Sequence, residues 1–557
     1  MRRLIECVPN FSEGRDPRTI RQITDSIEAV EGVRLLNVDP GKATNRTVVT
    51  FIGEPEAVVE AAFHAIRTAG ELIDMSRHQG EHPRMGATDV CPLVPIAGIT
   101  MEQTAELARG LAQRVGRELG IPVYLYEAAQ PDENRRNLSV IRAGEYEGFF
   151  DKIREPAWKP DFGPATFDAR RGATAVGARD FLIAYNVNLN TTSTRRANAV
   201  AFDVREAGRK KLGPDSKPVA DEQGNPVIVP GSLKAVKAIG WFIEEYGIAQ
   251  VSMNLTNIRV TPLHVAFDEV CRSAASRGLR VTGSELVGLV PLQCLLDAGR
   301  HFLEKQKRST GVSEQELVKI AIRSLGLDEL GPFRPEERII EYLLRDPAES
   351  RLVSMTLTAF ADETASESPA PGGGSIAAYA GALGAALGAM VANLSSHKRG
   401  WDERWREFSE QAEEGQRHKA ELLRLVDEDT RAFARVMSAF GLPNATAHEK
   451  AARTLAIQEA TRYATEIPFR VMQTALASMK VIRSMVQTGL QSSVSDAGVG
   501  ALCARTAVMG AYLNVKTNAR QLHDKTFAAD IVARGAELEK QARAHEAEIL
   551  AIVESRL

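Results

Sequence analysis

Leu422–Phe440 reads LLRLVDEDTRAFARVMSAF, and its pattern decides the architecture of the last third of the chain. Apolar residues fall at Leu422, Leu425, Val426, Phe433, Val436, Met437 and Phe440. At ~100° per residue these gather on one helix face. Asp429 lies inside that stripe, whereas Asp427 projects well away from it. A carboxylate on a buried face is expensive unless paired or used, and burial raises its pKa toward a range suited to acid–base work. An inward Asp that caps or pairs structurally would explain the position equally well.

Working outward, the 3.6-residue periodicity runs from about Asp346 nearly to Leu557, clearest in Asp402–Phe440, Ala447–Arg462 and Ala528–Leu557. This third is all-α. Inside it, Ile376–Leu394 (IAAYAGALGAALGAMVANL) carries no charge for 19 residues. That length could span a bilayer. It is mostly Ala and Gly, has no aromatic belt, and contains Gly384-x-x-x-Gly388, so a buried helix that admits close neighbours is expected. Before residue 345 the texture differs. Short β-branched runs (Val33–Val38, Arg46–Ile52, Pro122–Tyr126, Phe181–Leu189) alternate with amphipathic stretches such as Pro55–Ala69 and Thr104–Leu119. A Pro/Gly-rich seam at 155–178 separates two such blocks, and Gly213–Gly231 reads as an exposed loop or hairpin. The expected fold is α+β multidomain: two α/β sandwich-like subdomains (1–178 and 179–344), a linker at 345–351, and an all-helical domain (352–557).

Composition narrows the function classes. The 557 residues carry 69 Lys+Arg against 72 Asp+Glu, so nothing sustains coating of nucleic acid or an anionic membrane. The five cysteines are scattered with no CxxC, which fits reduced thiols in a cytoplasmic protein. MRRLIECVPNFSEG has no apolar core of useful length, so no signal peptide is expected. No GxGxxG or GxxxxGK[ST] follows a strand.

Three polar clusters remain. Met75–Asp89 (MSRHQGEHPRMGATD) places His78, Glu81, His82, Arg77 and Arg84 together. Its Gly and Pro residues oppose a helix, so the His78/His82 spacing is a weak zinc signal. A loop suited to proton transfer beside an anion is the sharper reading, and a decorated polar turn the blander one. Asp39–Thr47 (DPGKATNRT) lies between two strands; Asp39 could orient a histidine, and Lys42 and Arg46 could hold carboxylates, though a solvated hairpin explains it too. Gly372, Gly373, Gly374 and Ser375 open the Ala/Gly helix and expose backbone N–H groups to an anion or polar ring edge, or form a plain flexible cap.

These motifs carry a resemblance. IECVPNFSEG, DPGKATNRTV, IDMSRHQGEHPRMGATDVCP, VYLYE, IRAGEYEG and DFGPATF resemble glutamate formimidoyltransferase, and PAPGGGS and LVDEDTRAF resemble formimidoyltetrahydrofolate cyclodeaminase. Their order is that of the bifunctional formimidoyltransferase-cyclodeaminase family, over essentially the whole chain.

The resemblance implies transfer of a formimidoyl group from N-formimidoyl-L-glutamate to N5 of tetrahydrofolate. Cyclisation to 5,10-methenyltetrahydrofolate with loss of ammonia would follow, in histidine degradation. It places the transferase histidine on His82 and the folate-binding segment on Gly163–Gly172. There Gly163, Pro164, Phe167 and Gly172 keep the family pattern, and 168–171 diverge. It places the cyclodeaminase acid/base on Asp429 and a folate wall on Gly372–Ser375. Asp39, Arg46 and Arg84 are supporting candidates. Asp496, Asn514, Asn518 and Asp524 also look similar. The cosubstrate is tetrahydrofolate in polyglutamylated form, with no metal, and the assembly a homodimer or higher ring of dimers. An N-formylglutamate donor, a methenyltetrahydrofolate cyclohydrolase, and a non-catalytic folate scaffold are the alternatives.

Overall fold

The computed structural model describes residues 3–42, 44–80, 83–214, 217–345 and 351–557. Its contacts divide the chain into two units, one of residues 1–294 with 325–343, the other of 295–324 with 344–557.

The first unit holds two sheets. In the larger, β1 (Leu4–Cys7), β2 (Asn10–Phe11), β3 (Val33–Gly41), β4 (Arg46–Gly53), β5 (Thr88–Ala97), β6 (Val123–Glu127) and β7 (Thr174–Ala178) pair in the order β3-β4-β1/β2-β5-β7-β6. The β5–β7 and β7–β6 pairs are parallel and the rest antiparallel. Alternation sorts the two faces. Ile5, Cys7, Val49, Phe51, Cys91, Leu93, Val123, Leu125 and Val176 bury against α1 (Pro17–Glu28), α2 (Pro55–Leu72) and α3 (Met101–Arg114). The opposite face carries Glu6, Tyr124 and Tyr126. The helices begin where the sequence supplies caps: Asp16 bonds the Arg18 N–H ahead of Pro17, and Thr100 and Gln103 form a reciprocal capping box.

Two expectations shift here. The 155–178 seam is not merely a connector, because its end supplies β7, which inserts between β5 and β6. Strand β3 also runs further into the polar DPGKATNRT stretch than the expected Val33–Val38, pairing Asp39 with Val48 and Gly41 with Arg46 of β4. Ladder hydrogen bonds, indifferent to side-chain polarity, extend the hairpin.

The smaller sheet pairs β9 (Val236–Ile243), β10 (Ile248–Leu255), β8 (Ile183–Leu189) and β11 (Val281–Val287), in that order and all antiparallel. Helices α4 (Thr194–Val204) and α5 (Leu263–Ser276) contribute buried residues to this half. The 213–231 stretch is largely exposed and flanked by a two-residue ladder, Arg209–Lys210 with Ile228–Val229.

The second unit is helical. Around α6 (Gly373–Ser396) pack α7 (Trp405–Phe440), α8 (Ala447–Thr488) and α9 (Val494–Ala519), with α10 (Lys525–Glu554) against α8 and α9. The apolar stretch noted in the sequence is the central helix, and small residues are what let it fit. A Cβ on Gly384 would lie 2.7 Å from the Gly500 carbonyl oxygen, and one on Gly415 would meet Ala389 at 2.9 Å. Residues 295–324 join this unit through a strap: the Thr310 N–H donates to Ser409 Oγ (2.9 Å), and the Gly311 carbonyl accepts Asn393 Nδ2 (2.8 Å).

Candidate active sites

In the first unit the hairpin tip and the 75–89 loop meet at Asn45. Its Oδ1 accepts the Gly14 N–H (3.0 Å), its Nδ2 donates to the Gln79 carbonyl (3.0 Å), and its own carbonyl accepts His78 Nε2–H (2.8 Å). Asn45 sits at φ 47°, a left-handed conformation that Asn tolerates better than most residues. Gly80 is needed on the other side, since a Cβ there would fall 2.3 Å from the Thr44 carbonyl oxygen. The close approach of the two polar loops is therefore built into residue types on both.

His78 has both ring nitrogens engaged: Nε2–H on Asn45, and Nδ1 accepting Arg84 Nε–H at 3.3 Å. Burial and the adjacent Arg84 guanidinium push its pKa below the ordinary histidine value. A neutral imidazole with a fixed tautomer positions the loop rather than shuttling protons. Arg84 in turn binds Glu147 through both terminal nitrogens (2.9 and 2.7 Å) and reaches Glu145 at 3.3 Å. To receive a substrate carboxylate it would have to exchange those partners. Glu81 and His82 lie outside the described residues.

Behind this loop sits a charge cluster. Asp89 is fully buried, accepts the Met85 N–H at 3.1 Å, and lies 2.7 Å from Arg142 Nη2. Burial holds its carboxyl above the ordinary aspartate value, against the lowering effect of Arg142, the Met85 N–H, Arg46 and Arg84. Arg46 feels both Asp89 and Asp39. Three guanidiniums around one buried carboxylate, with Asp39 at the margin, leave a positive field behind the loops.

Segment 163–172 runs beside the same loop. Gly163 (φ 84°) and Gly172 (φ 70°) pass so near neighbouring backbone that a Cβ would fall 2.4 Å from the carbonyl oxygens of Ile121 and Met85, respectively. Pro164 is half-buried next to Gly163. Phe167 packs among Tyr146, Phe149 and Phe150, with ring centroids 4.4 to 6.2 Å away. The divergent residues form their own turn: Asp168 Oδ1 accepts the Arg170 N–H (2.9 Å), and Oδ2 meets Arg171 Nε (2.6 Å). Arg170 and Arg171 also line a cleft of 270 Å³ with Arg67, Gly70 and Glu71.

In the helical unit the sequence argument meets its geometry. Asp429 lies against the first turn of α6, where Ser375 Oγ is 3.2 Å from Oδ2 and the Ser375 N–H also bonds the carboxylate. Gly374 makes room, because a Cβ there would sit 2.2 Å from Asp429 Oδ1. Burial raises the Asp429 pKa above the ordinary aspartate value, against the lowering effect of the Ser375 bonds. Gly372 starts the helix without a side-chain cap, and Gly373 faces the Asn514 amide.

The family model for the N-terminal subdomain of the formiminotransferase domain matches residues 4–179, that for the formiminotransferase domain 184–345, and that for formiminotransferase-cyclodeaminase 356–537. The formimidoyltransferase-cyclodeaminase of Mus musculus is 43% identical over 557 residues, covering 100% of both chains. The chain belongs to the formimidoyltransferase-cyclodeaminase family. Glutamate formimidoyltransferase of Thermoplasma acidophilum is 42% identical over 57% of this chain and 98% of its own. Methenyltetrahydrofolate cyclohydrolase of Methylorubrum extorquens is 38% identical over 31% of this chain and 84% of its own.

For this member of the formimidoyltransferase-cyclodeaminase family, several positions needed coordinates. Asp427, off the apolar stripe of α7, is nevertheless buried: its carboxylate takes the Leu352 N–H (2.7 Å) and Val353 N–H (3.3 Å), pinning the chain as it enters the domain. The helical wheel could not show that another segment crosses that face. Phe433, Met437 and Phe440, on the stripe, are exposed. Asn514 reaches the Gly373 turn, whereas Asn518 bonds the Ala464 carbonyl and Asp524 caps α10. Asn45, Asp89 and Arg142 were within quoted motifs, yet only their spatial meeting singles them out.

Proposed function

We propose that this chain is a folate-dependent bifunctional enzyme of histidine degradation. It transfers formimidoyl from N-formimidoylglutamate to N5 of tetrahydrofolate, then closes the product to 5,10-methenyltetrahydrofolate with release of ammonia. The observation that carries the reading is the placement of Asp429: a half-buried carboxylate with raised pKa against the open glycine turn of α6.

In transfer, N5 must lose a proton as it attacks the amidine carbon, and the departing glutamate nitrogen must gain one. His82 is the group assigned to shuttle that proton. Support comes from its setting, since His78, Arg84 and Asn45 hold the preceding part of its loop against the hairpin. The guanidiniums of Arg46 and Arg142 supply the field for an anionic donor, with Asp39 beside them to orient a histidine. Folate is assigned to the Gly163–Gly172 segment, and the arginine-lined cleft under Arg170 and Arg171 suits the carboxylates of a polyglutamate tail. In the second step N10 closes onto the formimidoyl carbon, and Asp429 takes the N10 proton and delivers one to the leaving nitrogen.

A working homodimer would cover the exposed Phe433, Met437 and Phe440, and the five free cysteines suit a cytoplasmic setting. The Methylorubrum relative favours one second reading, hydrolysis of the methenyl group by the helical domain. The test mixes protein, tetrahydrofolate and N-formimidoylglutamate, following methenyl product by absorbance and ammonia by a coupled assay. Both are expected in equal amounts. Product without ammonia would sink the cyclodeaminase reading, and no product would sink the joint assignment.

A further inference from the structure

The smaller sheet turns an apolar face toward its helices and a different face the other way. Register places Trp241, Gln250, Asn188 and Gly283 in one row across that second face, and Ile239, Ser252, Asn186 and Glu285 in the next. The amides form a branched chain of bonds. Trp241 Nε1–H donates to Gln250 Oε1 (3.0 Å), and Gln250 Nε2 to Asn188 Oδ1 (2.8 Å). Asn188 Nδ2 donates to Glu329 Oε2 (2.6 Å), which fits because Gly283 has no Cβ to meet it. Asn186 Nδ2 (3.1 Å) and Gln250 Nε2 (3.4 Å) both donate to Glu285 Oε2.

Glu285 is thus fixed through one oxygen by neutral amides that are themselves buried. Among the described residues its Oε1 meets no donor, and neither Glu285 nor Glu329 has a cation within ion-pair distance. A carboxylate held this way keeps its charge unneutralised and its second oxygen available. Aromatic groups lie on the β9 side of it: Trp241, joined to it through Gln250, and Tyr246 are each 37% exposed. The Glu285 charge is the main influence raising the Tyr246 phenol pKa. A carboxylate on a sheet face that also presents exposed aromatics suits a flat ligand edge bearing N–H donors.

We propose that Glu285 is a specificity-determining contact for a cosubstrate of transfer, accepting N–H groups from an N–C–N edge of the bound molecule. The inference rests on the function proposed above. Both cosubstrates carry that edge: the formimidoyl donor in its amidine, tetrahydrofolate in its 2-amino-4-oxopyrimidine ring. Trp241, Gln250, Asn188 and Asn186 are positioning residues for it.

The test is Glu285→Gln in the full chain, with KM measured separately for each cosubstrate. Loss of one charged hydrogen bond predicts a rise of about tenfold or more in one KM, with the other within about twofold. A rise for tetrahydrofolate identifies the pyrimidine edge, and a rise for N-formimidoylglutamate the amidine. Ammonia release from supplied 5-formimidoyltetrahydrofolate stays at the wild-type rate, which reports an intact fold. Both KM values within twofold, or a fall in kcat alone, would overturn the proposal. Asn186→Ala, which loosens Oε2 without removing the charge, raises the same KM about threefold and carries the test should Glu285→Gln not fold. Wild-type turnover tests the function itself; if it is absent, calorimetric binding of each cosubstrate to wild type and variant still decides the role of Glu285.

Discussion

The two candidate sites surround a carboxylate that burial has raised in pKa with different neighbours. Asp89 in the transferase half has cations about it, Arg142 at 2.7 Å and Arg46 and Arg84 at longer range, which offset part of that rise. Asp429 in the helical half has no cation among the influences on its pKa, only the hydroxyl and N–H of Ser375 at a helix start. The first arrangement gathers guanidiniums around a carboxylate and builds a positive field. The second leaves a carboxylate with no cation to offset burial, the setting that suits the proton transfer proposed for it.

The sharpest way to break this contrast is Asp429→Asn. Ammonia release is expected to fall by about a thousandfold, the middle of the range for loss of a general acid–base, while formimidoyl transfer persists. Equal loss of both activities, measured in separate half-reaction assays, would mean a folding role. The raised pKa also fixes a sign. The folded carboxyl binds its proton more tightly than the unfolded one, so stability falls as pH rises through the interval between the two pKa values. The Asn variant lacks that slope.

Gly374→Ala probes the same site without touching the acid. The new Cβ would fall 2.2 Å from Asp429 Oδ1 and force the carboxylate aside. A reduction of about a hundredfold in the second reaction is expected, with transfer unchanged. Full activity would mean that the approach of α6 to Asp429 is incidental. In the other half, Asn45→Ala removes two side-chain hydrogen bonds and leaves Ala at φ 47°. Transfer is expected to drop about tenfold with ammonia release from supplied intermediate intact, since the hairpin and the His78 loop lose their junction. An equal effect on both reactions would break the assignment of that junction to transfer.

Legibility followed the same division. The Asp429 site could be read from a single helix, because 3.6-residue periodicity puts one acidic residue on an apolar stripe, and GGGS marks a helix start. The fold class was legible for the same reason, in runs of period two and period 3.6. The transferase site was not, because it depends on residues of separate loops 31 to 63 positions apart. Nothing in the local pattern says that Asn45 joins Gly14 and Gln79, or that Glu147 occupies Arg84. Asp427 shows the limit even within a helix: its burial comes from residues 352–353, which a wheel drawn for one element cannot include.

The smallest expected effect on turnover sharpens the comparison most, because the transferase half contains a carboxylate that resembles Asp429 in its solitude. Glu6, in β1 on the face turned away from the helices, is 2% exposed. Burial pushes its pKa up to about 7, with only the more weakly felt Arg179 pulling it back. Relative to an ordinary glutamate at 4.5, the folded chain binds this proton more tightly. The associated stability is present below about pH 4.5 and is lost as pH rises toward 7. At roughly 1.4 kcal/mol per pKa unit, the ionised form at pH 8 carries a penalty on the order of 3 kcal/mol. Glu6→Gln keeps the shape and cannot ionise. It should therefore unfold at higher urea than wild type at pH 8, differ little at pH 5, and transfer formimidoyl groups at close to the wild-type rate. Stability lost equally at both pH values would mean that Glu6 is held as an anion by Arg179. Transfer lost in a stable variant would mean that solitary burial marks a working acid in both halves of the chain, and Glu6 would join His82 in the transfer step.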